Sequence, residues 1–285
     1  MLRTSVISFP GLGIGEFEID SVAFSLFGQR DVAWYGLIIV IGMLLAVLYV
    51  AWRAKQSGIS FDTVLDFALF TIFFGVIGAR LYYVISRFDS YRDSLSDIFA
   101  IWNGGLAIYG GIIAGGITVF VVCKIKKISF LQFADFVCPA VMIGQILGRW
   151  GNFANGEAFG AETTLPWRMG ISNFLTGFET IYVHPTFLYE SVWNLVGFIL
   201  VNLFYKHKQY NGQIFYMCFA WYGLGRAFIE YLRVDSLYLG QAFGWPEVWY
   251  LKVSLLVGLL CFVVFTGLLI YHLVKDLKEK RLKNK

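Results

Sequence analysis

Seven stretches of this chain are apolar for about 20 residues each, the length an α-helix needs to cross the hydrocarbon core of a bilayer. They fall near 33–52, 64–86, 98–123, 132–150, 186–205, 212–233 and 248–272. With 58% of its residues apolar and only 15% charged, the chain departs from water-soluble composition in the same direction. The sequence therefore predicts an all-α integral membrane protein of seven transmembrane helices forming a single polytopic domain over residues 1–285. Residues 1–32 contain no apolar core of signal-peptide type and read as a small segment outside the membrane. Residues 151–185 form a second extramembrane stretch, and 273–285 a basic tail.

Orientation follows from the lysines and arginines of the connections, which concentrate on the cytoplasmic side. Connections after the odd-numbered spans hold 13 of them (Arg53, Lys55, Lys124, Lys126, Lys127, Lys206, Lys208 and six in the tail), against 5 on the other side (Arg3, Arg30, Arg87, Arg92, Arg168). The N-terminus and the 151–185 connection are thus expected outside, and the C-terminus in the cytoplasm. The net charge of +4 is this inner-face bias, so nothing points to nucleic acid. Four cysteines without CxxC spacing and three scattered histidines imply neither a disulfide framework nor a metal site, and no cofactor is indicated. Trp34, Tyr35, Trp102, Trp150, Trp245, Trp249 and Tyr250 sit near predicted outer boundaries as aromatic anchors.

Five basic residues remain inside the spans: Arg80, Arg149, Arg226, Arg233 and Lys252. Intramembrane charge is costly and marks function by default. Arg80 and Arg226 lie about 9 and 10 Å inside the outer ends of their helices at ~1.5 Å per residue, with Arg149 and Arg233 at the ends themselves. Snorkelling accounts for such residues singly; four arginines on three outward-running helices suit an anionic headgroup, because the guanidinium fork matches phosphate oxygens. Glu230 falls one turn from both Arg226 and Arg233 in GLGRAFIEYLR, and either neutralises them or orients Arg226 for an external anion.

The end of the fourth span, GRWGNFANGEAFG, follows Arg149 with Gly151, Gly156 and Gly160, which permit irregular backbone, and with the polar groups of Asn152, Asn155 and Glu157. His184 precedes the fifth span beside Pro185, and Glu190 lies further in, where it could neutralise an arginine. In the third span, GGLAIYGG makes Tyr109 the one polar group on a glycine-rich helix, either an interhelical hydrogen-bonder or a weak base. These features fit an enzyme acting on an anionic lipid or a transporter or flippase for an organic anion, although no internal repeat of transporter type is visible.

The segments WYG (34–36), GAR (78–80), WNGGLAIYGG (102–111), DF (135–136), GRWGNFANGE (148–157), HPTFLYE (184–190) and GLGRAFIEYLR (223–233) together resemble the bacterial prolipoprotein diacylglyceryl transferases. The resemblance implies transfer of the diacylglyceryl group of phosphatidylglycerol to the lipobox cysteine of a preprolipoprotein signal peptide, in the bacterial cytoplasmic membrane among its lipids, with the active site toward the outer leaflet. It implies functional roles for Tyr35, Arg149, Asn152, Glu157, Gly160, Arg226, Glu230 and Arg233, with Arg80, Asp135 and His184 supporting them. Tyr109 stands where the family pattern has a histidine proposed as catalytic, so Tyr109, His184 or Glu230 takes that role, or no strong base is required.

Overall fold

The computed structural model of the chain describes residues 4–26, 30–92, 94–234, 236, 238 and 251–283. It is mostly helical. Among the described residues there are seven long helices: α1 (Trp34–Lys55), α2 (Phe61–Ser86), α3 (Ile108–Lys126), α4 (Phe130–Ala154), α5 (Thr186–Phe204), α6 (Gln213–Leu232) and α7 (Val253–Lys283). Six are long and apolar enough to cross a membrane; α6, which carries Gln213, Arg226 and Glu230, is the exception. Large apolar side chains such as Leu69, Ile112 and Leu260 are more than 60% exposed on these helices, as side chains facing lipid rather than water would be.

Two expectations are corrected. The fold is not all-α: residues outside the membrane helices form strands β1 (Thr4–Phe9), β2 (Ile14–Asp20), β3 (Val22–Leu26), β4 (Arg30–Ala33), β5 (Met169–Ser172) and β6 (Ile181–Val183). Period-two alternation in β2, where Glu16 and Glu18 flank Phe17, is the local signature of a strand with two unlike faces. The third helix also begins at Ile108, ten residues later than expected, because the backbone before it bends at Gly104 and Gly105, both at positive φ (82° and 74°). Trp245, Trp249 and Tyr250 lie outside the described residues.

The chain divides into two compact units. One comprises Val47–Val137 and is built on α2 and α3. Their backbones meet at Gly78 and Gly110: a methyl group at either glycine would overlap the carbonyl of the other. Phe67 stacks on Phe133 at 3.8 Å in the core of this unit, and Lys126 pairs with Asp66 at 2.6 Å.

The other unit comprises Met1–Ala46 and Cys138–Lys285. Its four-stranded antiparallel sheet has the order β2-β1-β5-β6, so the first strand of the chain pairs with one more than 160 residues later, Ile7 opposite Ile171. Ile7, Met169, Ile171 and Val183 form a buried cluster closed by Phe187 from the first turn of α5. A separate hairpin, β3-β4, leads into α1. Gly42 of α1 faces Gly144 of α4, and Gly223 of α6 abuts Gly258 of α7 closely enough that a methyl at either of the latter would strike backbone. Small residues at such crossings let membrane helices pack through van der Waals contact.

Candidate active site

The residues that chemistry singled out in the sequence converge at the C-terminal end of α4. The helix stops at Ala154, Gly156 turns at φ 63°, and the Glu157 amide donates to the Asn152 carbonyl at 3.1 Å, folding Glu157 back over the helix end. Asn152 and Asn155 each donate through Nδ2 to Glu157 Oε1 at 3.1 Å. Arg149, one turn earlier, donates through Nη1 to Asn152 Oδ1 at 3.1 Å. Arg149, Asn152, Asn155 and Glu157 of GRWGNFANGE thus enter one network.

That turn is held from outside the helix. Fully buried Asn173 donates through Nδ2 to the Gly156 carbonyl at 2.8 Å and to Ser5 Oγ at 3.1 Å, while its Oδ1 accepts from the Leu175 and Thr176 amides. Even a methyl at Gly156 would collide with Ser5 and Asn173. The ring of Tyr35, at the start of α1, lies against Gly151, where a Cβ would again overlap it. Tyr35 thereby borders the Arg149–Glu157 network.

Glu190 joins this network to α6. Its Oε1 accepts from Arg149 Nη2 at 2.6 Å and its Oε2 from Arg226 Nη1 at 3.3 Å, with the carboxylate side chain only 5% exposed. On the far side of Arg226, Glu230 Oε2 lies 2.7 Å from Nη2, one helical turn along α6. Two guanidiniums and two carboxylates therefore form a near-buried, charge-balanced row, Arg149–Glu190–Arg226–Glu230. Burying unpaired charge costs far more than burying it in pairs, which accounts for the alternation. A guanidinium has five N–H donors, and Glu190 and Asn152 engage two nitrogens of Arg149, so both arginines retain donors for an incoming anion.

Gly160, His184 and Arg233 meet at the edge of this row. The Gly160 amide donates to the His184 carbonyl at 3.0 Å, Gly160 and Arg233 form an antiparallel bridge, and a Cβ at Gly160 would press on His184, Thr186 and the Leu232 carbonyl. His184 Nδ1 lies 3.3 Å from the Tyr189 hydroxyl, which also accepts from Trp167 Nε1 at 2.7 Å. Partial burial holds the His184 imidazole below its ordinary pKa, since desolvation disfavours the charged form. Lys252 does not snorkel: its Nζ donates to the Glu230 and Arg233 carbonyls at 2.8 Å each, capping the end of α6.

Arg80 and Tyr109 belong to the other unit. Arg80 donates through Nε to Ile98 O, through Nη1 to Gly104 O and Gly105 O, and through Nη2 to Asp97 O and Ala100 O, at 2.6–3.5 Å. All five donors are spent on backbone carbonyls, the residue is 7% exposed, and the Tyr91 ring lies 5.3 Å from its guanidinium carbon. It clamps the connection before α3. Tyr109 stands in the first turn of α3 with its ring 6.5 Å from that of Tyr82, and Asp135 is fully buried. Glu190 is the participant that residue-by-residue reading undervalued: the sequence offered it as a possible counter-ion, and the structure makes it the bridge.

The family model for prolipoprotein diacylglyceryl transferase matches residues 21–271. A phosphatidylglycerol–prolipoprotein diacylglyceryl transferase of Finegoldia magna is 46% identical over 223 residues, covering 78% of this chain and 87% of the relative. One of Listeria welshimeri is 39% identical over 269 residues, 93% of this chain and 94% of the relative. One of Clostridioides difficile is 46% identical over 222 residues, 78% and 86% respectively. With a model match that takes in every residue of the arginine–carboxylate row and relatives aligned over most of both chains, this chain belongs to the prolipoprotein diacylglyceryl transferase family.

Proposed function

We propose that the chain transfers the diacylglyceryl group of phosphatidylglycerol to the thiol of a lipobox cysteine in a preprolipoprotein signal peptide, at the extracytoplasmic side of a bacterial cytoplasmic membrane. The names of the relatives supply the lipid and the protein substrate; the observation that carries the reading to this chain is the Glu190-bridged pair Arg149 and Arg226.

In this reading the phosphate of phosphatidylglycerol binds the unspent N–H groups of the two arginines. The cysteine thiolate attacks the glyceryl carbon that bears the phosphate ester; the C–S bond forms, the C–O bond breaks, and glycerol phosphate leaves with the electron pair. Charge on the leaving phosphate grows against two fixed guanidiniums, and preorganised donors of this kind contribute several kcal/mol to a transition state. The same positive field favours thiolate over thiol in the incoming cysteine. Glu190 and Glu230 orient the guanidiniums, Asn152, Asn155 and Glu157 hold Arg149, Tyr35 walls the site against Gly151, and Gly160, His184 and Arg233 fix the end of α6.

The test is reconstitution of the purified protein in bilayers containing phosphatidylglycerol with a lipobox cysteine peptide. The expected result is a peptide gaining the diacylglyceryl mass with stoichiometric glycerol phosphate, both lost in Arg226→Ala. Folded wild-type protein that yields neither refutes the reading.

A further inference from the structure

Helices α5 and α6 carry the same short pattern, a tryptophan followed four residues later by glycine: Trp193-Asn-Leu-Val-Gly197 and Trp221-Tyr-Gly-Leu-Gly225. Residues four apart share a helix face, and the two faces meet reciprocally. The indoles stack at 4.4 Å with 21° between planes. Trp193 Nε1 donates to the Trp221 carbonyl at 3.0 Å, and Trp221 Nε1 donates to the Trp193 carbonyl at 2.9 Å. Each indole lies over the other helix's glycine, so that a methyl at Gly197 would overlap Trp221 and one at Gly225 would overlap Trp193.

This arrangement tolerates a single register. Sliding α5 along α6 by one turn would strand both indole N–H groups in an apolar setting, where an unmet donor is costly, and would set each indole against a side chain instead of a glycine. Glu190 lies one turn before Trp193, and Arg226 directly follows Gly225. Glu230 reaches Arg226 from within α6 whatever α5 does; Glu190 reaches it only in this register. Because Glu190 also binds Arg149, the register of α5 on α6 sets the separation of the two guanidiniums.

We infer that Trp193, Gly197, Trp221 and Gly225 are positioning residues that act through Glu190 to hold Arg149 and Arg226 at the spacing a phosphate requires. The inference rests on the transferase reading for what the arginines do, and on geometry alone for how they are held.

The test is a double-mutant cycle of Trp193→Phe, which keeps a ring but loses the N–H, with Glu190→Gln. It is read both as kcat for diacylglyceryl transfer and as thermal unfolding in bilayers. Trp193→Phe is expected to lower kcat by between about tenfold and a hundredfold, the usual consequence of a small misplacement, with little further loss in the Glu190→Gln background while the losses in Tm add. Trp221→Phe should show the same signature, and serves if Trp193→Phe does not fold. Multiplicative kcat losses, or an unchanged kcat with a lowered Tm, overturn the inference. Should the wild type show no transfer, the transferase reading fails separately; the cycle is then read as the rise in Tm produced by glycerol phosphate, and no such rise in the wild type overturns the inference too.

Discussion

Replacing Glu190 by glutamine keeps its size and removes its charge, leaving the two guanidiniums of Arg149 and Arg226 facing an amide. The amide oxygen can accept from one of them; its NH2 then faces the other, so one contact is kept in weaker, uncharged form and the other is turned repulsive. Breaking a fully buried ion pair from one side costs about 3–5 kcal/mol. Here Glu190 is 5% exposed but Arg149 and Arg226 are 20% and 13% exposed, so water recovers part of the loss, and about 2–3 kcal/mol of destabilisation is the appropriate expectation. The same argument sets the sign of a second effect. Two under-neutralised arginines attract an anion more strongly, so glycerol phosphate should stabilise the variant more than the wild type. An anion at a hundred times its Kd contributes about 2.7 kcal/mol, enough to offset most of the loss. Thermal unfolding of both proteins in bilayers, with and without glycerol phosphate, reads both quantities. Equal stability without the anion, or equal anion stabilisation, would refute the claim that Glu190 neutralises this pair.

Three further outcomes follow from the same structure. Arg80→Lys supplies three donors where five carbonyls now have partners, so amide exchange across residues 94–106 should accelerate, whereas unchanged protection there would contradict the clamp. Gly160→Ala places a Cβ 2.7 Å from His184 Cβ and 2.9 Å from Thr186 Cγ2; turnover should fall at least tenfold with a lowered Tm, since overpacking of this kind costs about 1–3 kcal/mol. His184 has its pKa lowered by burial, so the unfolded chain takes up its proton first on acidification; stability should drop as the pH falls below about 6.5, and His184→Gln should flatten that part of the profile.

How much of this was legible in the sequence differs by feature. The long helices were, because a run of 20 apolar residues has few other fates; all seven expected windows overlap described helices, although α6 is not apolar enough to count as a span, α3 starts late where Gly104 and Gly105 break an otherwise apolar stretch, and α7 runs on to Lys283, past the expected end at 272. The local network at Arg149 was also close at hand, since Asn152, Asn155 and Glu157 lie within eight residues of it, whereas its ion-pair partner Glu190 is 41 residues away. The strands were not: β1 and β5 have partners far away in the chain, and segments of four to six residues carry little periodicity on their own. Arg80 and Arg226 look alike in sequence, both arginines near the end of an apolar helix. What separates them is five backbone carbonyls on one and two carboxylates on the other, and carbonyl directions leave no trace in residue identity.

The pairing of β1 with β5 also imposes an order of assembly. Ser5 is made 168 residues before its hydrogen-bond partner Asn173, and at about 5–20 residues per second that is a delay of roughly ten seconds or more. During that interval the first strand has only the neighbouring β2 to pair with, and its other edge stays open. The turn that holds Asn152, Asn155 and Glu157 can therefore settle only after β5 has emerged, and Arg226 arrives later still. A nascent chain truncated before α6 would carry Arg149 without its counterpart, so the anion-holding row is completed only once α6 has followed the five long helices before it.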